Sequence, residues 1–151
     1  MAAMSHKPTP TTLTDVRSIA VVGVSNQKTK FGSAAFRELK KRGYDVYPVH
    51  SSLDTFDNTK CYQSVNDLPL VPDCVLVAVK PDTALEVVRQ ATAKGVRKVW
   101  FQQGANFSAA IAEAEKADLE IVSRRCILMY AGPVTGIHRF HRFLNRLFGR
   151  Y

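Results

Sequence analysis

The chain carries few of the residues that mark a chemistry from sequence alone. Its 151 residues include three cysteines, Cys61, Cys74 and Cys126, an odd count without metal-type spacing. That argues against a disulfide scaffold and is expected of a reduced, cytoplasmic setting. No apolar run approaches the roughly 20 residues of a membrane-spanning helix. Residues 1–15 lack the apolar segment of a secretory signal and read as a loose, polar, proline-containing leader. Acidic residues are scarce, 13 against 21 lysines and arginines, for a net charge of +8. The balance suits an anionic partner. The eight glycines nowhere fall in the G-x-G-x-x-G spacing of the dinucleotide fingerprint.

What is present is a βα alternation. Apolar residues make up 46% of the chain and charged residues 23%, an ordinary globular balance, and the length suits one domain that buries roughly 70% of its surface. Ser18–Gly23, Asp45–Val49, Cys74–Val79 and Lys98–Phe101 are rich in valine and isoleucine with little polar alternation, and Glu120–Ser123 is a shorter fifth segment. Such runs are expected of parallel strands covered on both faces. Helical patterns lie between them at Ser33–Arg42, Asp82–Lys94 and Ser108–Ala117, with Gly43 and Gly95 placed as C-terminal caps of the first two. The alternation predicts an α/β fold, a doubly wound, mainly parallel sheet of five to six strands. Residues 51–72 are harder to read and are given one short strand near Cys61 and Tyr62.

Residues 131–151 change character. Ile137, Phe140, Leu144 and Leu147 form an apolar stripe, and Arg139, Arg142, Arg146 and Arg150 lie largely elsewhere on the wheel. This predicts a basic, amphipathic C-terminal helix packed on the domain or across a homodimer, with docking on a partner, an anionic membrane or nucleic acid as the alternative. The domain itself is assigned to residues 16–130.

In an open α/β sheet, ligands sit beyond the carboxyl ends of the strands. The first such loop runs from Gly23 to Gly32, with eight non-glycine residues between the two. Backbone N–H groups near Ser25 and at the start of the following helix can point at one phosphate, with Lys28 or Lys30 adding charge. An ordinary βα turn with solvated lysines is the competing reading. The second strand ends Val46-Tyr47-Pro48-Val49-His50-Ser51. A nicotinamide dinucleotide site would place Asp or Glu there for the ribose hydroxyls, and the first carboxylate is Asp54. The third loop, Val79-Lys80-Pro81-Asp82, opens a helix with proline and offers one lysine to an anion; Asp82 is expected to cap it. The fourth, Gln102-Gln103-Gly104, puts two amides at the same edge.

No catalytic acid–base pair or triad stands out. Glu38, Glu86, Glu113 and Glu115 fall on helix bodies, expected far from that edge, and His138 and His141 have no metal partners in the sequence. Cys126, beside Arg124 and Arg125, reads as a buried thiol rather than a nucleophile. A binding domain without metal or catalysis of its own is the economical reading.

Taken together, Ile19-Ala-Val-Val-Gly-Val-Ser25, Lys30-Phe-Gly32, Gly43-Tyr-Asp-Val-Tyr-Pro-Val49, Val75-Leu-Val-Ala-Val79, Val99-Trp-Phe-Gln-Gln-Gly104 and Cys126 resemble the small, single-domain CoA-binding proteins. Their Rossmann-like fold is shared with the CoA-binding domain of the succinyl-CoA synthetase α subunit. The resemblance implies a coenzyme A or acyl-CoA site. Gly23, Val24, Ser25, Lys30, Phe31 and Gly32 would line the phosphates. Pro48, His50 and Ser51 would lie near the nucleotide, where the family usually has Asn in place of His50. Val79, Lys80 and Pro81 would flank the pantetheine or pyrophosphate, with Gln103 and Gly104 at the same edge. The synthetase's catalytic histidine belongs to another domain, so the resemblance implies binding and not ligase activity. An NAD(P)-binding enzyme or sensor is the alternative within the fold, and a nucleic-acid partner is not expected.

Overall fold

The computed structural model describes Leu13, residues 15–26 and residues 30–131. The predicted C-terminal helix, with His138 and His141, and Lys28 of the first loop lie outside them. Five strands, β1 (Ser18–Val22), β2 (Asp45–Val49), β5 (Cys74–Val77), β6 (Lys98–Gln102) and β7 (Glu120–Arg125), form one sheet in the order β2-β1-β5-β6-β7. All four pairings are parallel. The helices α1 (Phe31–Lys41), α2 (Pro81–Lys94) and α3 (Ser108–Lys116) make the crossovers.

The strand residues sort by parity, as a period of two requires. Ile19, Val21, Leu76 and Trp100 face one side, where Ala35, Phe36 and Leu39 of α1 cover them. Ala20, Val22, Val75, Val77, Val99 and Phe101 face the other, under Ala84, Val88 and Ala91 of α2 and Ala110 and Ala114 of α3. Every residue of β5 and β6 is buried, so the near-continuous apolar runs follow from burial on both faces. A short 3-10 turn, Ile127–Met129, covers the remainder of the α1 side. It is held by the Trp100 indole, which donates to the Arg125 carbonyl at 2.9 Å, and by the Arg42 guanidinium, which donates to the carbonyls of Leu128 (2.8 Å) and Ala131.

The main departure from expectation falls in residues 51–72. Instead of a strand at Cys61–Tyr62, Thr55–Phe56 (β3) and Thr59–Lys60 (β4) form a two-stranded antiparallel hairpin. Its turn residues Asp57 and Asn58 both have positive φ, 51° and 62°, the backbone of the tight hairpin turn that Asp and Asn tolerate. Tyr62 makes only a single parallel bridge, to Val49. β7 continues to Arg125, past a register shift opposite Trp100–Gln102, with Arg124 at φ 60°.

Candidate functional site

β1 has β2 on one side and β5 on the other, so the chain leaves it in opposite directions. Such a reversal opens a crevice at the carboxyl ends of the strands. A cleft of about 710 Å3 lies there, inside the range of roughly 300–1,000 Å3 usual for small-molecule sites.

Two glycines bring its base together, Gly23 in the wall and Gly32 behind it. Gly23 leaves β1 at φ +122°, and a Cβ there would stand 2.2 Å from the Ala78 carbonyl oxygen at the end of β5. Gly32, in the first turn of α1, lies against the Gly23 carbonyl; a Cβ at 32 would stand 2.3 Å from that oxygen. Only glycine at both positions lets strand end, loop and helix start close up. Ser33 fixes the loop above them. Its Oγ accepts from the Ser25 N–H at 2.8 Å and donates to the Ser25 carbonyl at 2.7 Å. The Ser25 amide is thus engaged within the protein, which corrects the expectation that it points at a phosphate.

The starts of two helices also meet the cleft, at Lys30 and at Lys80. Lys30 occupies the N-cap of α1 and Lys80 that of α2, both with extended backbone and neither with a side-chain capping bond. N-caps are ordinarily Ser, Thr, Asp or Asn, whose oxygen accepts from the first turn. A lysine has no acceptor, so it adds positive charge to the positive end of the helix dipole. Asp82, expected as the cap of α2, sits inside the first turn after Pro81.

At the end of β2, His50 and Ser51 complete the wall. The His50 Nδ1 accepts from the Ser52 N–H at 3.0 Å, so the neutral ring carries its proton on Nε2. Gly23, Val24, Ser25 and Lys30 line the cleft, as do His50 and Ser51, and Val79, Lys80 and Pro81 from the α2 side. Three other predicted residues stand behind it. Phe31 is 8% exposed and packs into the core beneath α1; Gly32 makes the backbone contact just described. Pro48 is buried within β2, its carbonyl accepting from the Tyr62 N–H at 2.9 Å. Gln103 and Gly104 line a neighbouring cavity beyond β6.

Sequence reasoning missed Gln63, Thr83, Glu86 and Gln90, which line the outer part of the cleft. Glu86 was expected far from the edge; the first turns of α2 run along the cleft and bring it in. The signal was a polar stripe at Thr83, Glu86 and Gln90, beside the buried stripe of Ala84, Val87, Val88 and Ala91.

The thiols are unsuited to nucleophilic work. Burial pushes the Cys126 and Cys61 thiols up, and Cys74, fully enclosed, is pushed up to about 12. Among the described residues no group of three or more His, Cys, Asp or Glu is placed to hold a metal, and no helix is long and apolar enough to cross a membrane.

A parallel α/β sheet with a lysine-capped cleft at its switch point is the frame on which nucleotide-binding domains are commonly built. The chain belongs to the CoA binding domain family, whose pattern matches residues 17–131. It is 30% identical over 125 residues to ADP-forming acetate–CoA ligase II of Archaeoglobus fulgidus, covering 80% of this chain and 19% of the relative. It is 30% identical over 136 residues to the α subunit of ADP-forming acetate–CoA ligase II of Pyrococcus furiosus, covering 87% and 30%. The chain thus spans less than a third of the length of these relatives. Among solved structures, a hypothetical protein from Pyrococcus horikoshii OT3 superposes with a TM-score of 0.74 at 37% identity, over 78% of this chain and 83% of that one. A conserved hypothetical protein from Pyrococcus furiosus gives 0.71 at 36%, over 75% and 97%.

Proposed function

We propose that this domain binds coenzyme A or an acyl-CoA across the carboxyl edge of its sheet, with the phosphates between the starts of α1 and α2. The observation that carries this reading is the pair of lysine N-caps, Lys30 and Lys80, on two helices that open into one cleft. Helix starts with a cation in place of a capping oxygen suit a ligand that brings its own anionic acceptors. The nucleotide end would lie toward His50 and Ser51, which offer donors and no carboxylate. A phosphorylated ribose would be tolerated there, whereas the bare ribose diol of NAD would find no Asp or Glu at the end of β2, Glu86 lying across the cleft on α2. Val79 and Pro81 would flank the start of the pantetheine arm. Phe31, Gly32 and Pro48 would shape the site from behind rather than touch the ligand. Family membership supports the choice of ligand.

Thermal denaturation with CoA, acetyl-CoA, dephospho-CoA, NAD and NADP in turn tests the reading. A ligand held only by the folded state raises the midpoint, by about 2.7 kcal/mol of added stability at a hundredfold excess over Kd. CoA is expected to raise it and NAD to leave it unmoved; dephospho-CoA reports on the 3′-phosphate. A rise with NAD or NADP and none with CoA would overturn the proposal.

A further inference from the structure

His50 follows the last residue of β2 and belongs to the cleft wall. Its backbone is pinned: the His50 N–H donates to the Tyr62 carbonyl at 2.9 Å, and the Tyr62 N–H donates to the Pro48 carbonyl at 2.9 Å. The ring is held as well. Nδ1 accepts from the Ser52 N–H at 3.0 Å, and the Ser52 Oγ stands 3.4 Å from the same nitrogen. Nε2 has no hydrogen-bond partner among the described residues.

The two Ser52 groups complement each other. The N–H can only donate, so it suits the neutral ring, whose Nδ1 is bare. The hydroxyl can donate or accept, so it also suits the charged ring, whose Nδ1 carries a proton. Ser52 is exposed, and its N–H passes to water when the ring charges. The loop therefore accommodates both protonation states.

The surrounding charges set the balance between them. Lys30 and Lys80 share the cleft and oppose a further cation, whereas Glu86 across it on α2 favours one. Behind the loop are Tyr62 and Cys61, the latter a thiol pushed up by burial, and the Asp54 carbonyl accepts from the Cys61 N–H at 2.9 Å. The Asp54 carboxylate adds a second negative charge on this side. A phosphomonoester in contact with Nε2 would bring nearly two more at pH 7, and opposite charge at that range favours the protonated ring.

We propose that His50 takes up a proton from solvent when the 3′-phosphate of CoA binds, so that acid strengthens the grip on CoA and not on dephospho-CoA. The inference rests on the CoA reading of the cleft. In the bound state Nε2–H donates to the phosphate and Nδ1–H to the Ser52 Oγ. The phosphate is not the source of the effect. Its own second pKa is about 6, and contact with lysines makes it lose a proton rather than gain one.

Calorimetric titration near neutral pH, in buffers of differing ionisation enthalpy, counts the protons exchanged. CoA is expected to bind with a net uptake that dephospho-CoA lacks. Its affinity should rise about fivefold from about pH 8 to about pH 6.5, as a neutral contact becomes charge-assisted. His50→Asn should abolish the excess uptake and flatten the profile. Ser52→Ala, which keeps the N–H and loses the hydroxyl, should reduce both. No uptake by the parent, or equal uptake with CoA and dephospho-CoA, would overturn the proposal. So would uptake that survives His50→Asn and disappears in Glu86→Gln, which would assign the proton to the carboxylate. Each of these results leaves CoA binding standing, whereas failure of CoA to bind removes the inference together with the reading beneath it.

Discussion

The α-carbon of Gly32 packs against the carbonyl of Gly23, so closely that a Cβ at 32 would stand 2.3 Å from that oxygen. Through this contact the start of α1 is held against the end of β1. Gly32→Ala is expected to force loop and helix apart, at about 1–3 kcal/mol as for other overpacked sites. Chemical denaturation would show the loss, and CoA binding should weaken with it. An alanine variant as stable as the parent would mean that the loop has room the geometry denies.

The lysine N-caps make a separable prediction. Lys30→Ala and Lys80→Ala should each weaken CoA binding by about tenfold, the scale of one lost charge-assisted contact. Neither should unsettle the fold, because both side chains are exposed and make no capping bond. Affinity should also fall as ionic strength rises. Fluorescence or calorimetric titration at two salt concentrations checks both effects.

Cys61, Cys74 and Cys126 are all buried, with thiols raised by that burial. A chromogenic disulfide reagent near pH 7.5 should therefore find them all slow to react in the folded protein, and all three should react after denaturation. Rapid modification of Cys126 in the folded state would point to a reactive thiol.

At the opposite end of the sheet, the Asp73 carboxylate accepts from the Arg17 N–H at 2.9 Å and the Ser18 N–H at 3.1 Å. The Arg17 N–H and, with it, Ser18 hold its pKa below the ordinary 3.8. A lowered native value stabilises the fold fully above the unfolded pKa and loses that effect as pH falls through the native one. Asp73→Asn should thus cost less than about 1 kcal/mol near neutrality, given the exposure of the group. The difference from the parent should shrink below pH 3.8. Urea denaturation at several pH values would reveal it, and a difference that grows in acid would contradict the assignment.

The parts of this fold that burial dictates were legible in the sequence. β1, β5 and β6 are apolar because both faces of the sheet are covered there, and their runs, with that of the edge strand β2, could be read within two residues. The loop from Gly23 to Gly32 and the missing carboxylate after β2 were equally plain, because each depends on residue type at a strand end. The hairpin at Thr55–Lys60 was missed although Asp57-Asn58 is a tight-turn pair, because its strands are two residues each and too short for alternation to register. Glu86, Thr83 and Gln90 were missed for a different reason. A polar helix face reads the same whether it meets solvent or a cleft, and only the tertiary placement decides, as where the Val65 N–H donates to the Gln90 Oε1 at 3.3 Å. The lysine caps were seen as charges and not as caps, since nothing in a sequence states that an N-cap has no oxygen to offer until the helix start is located.

The most direct test is calorimetric titration of CoA into the parent chain and into a Lys30→Ala, Lys80→Ala double variant, with NAD as competitor. Saturable one-to-one binding of CoA, about a hundredfold weaker in the double variant and indifferent to NAD, is the predicted result. Equal binding by the double variant, or displacement of CoA by NAD at comparable concentration, would contradict a CoA site built on the two lysine-capped helix starts.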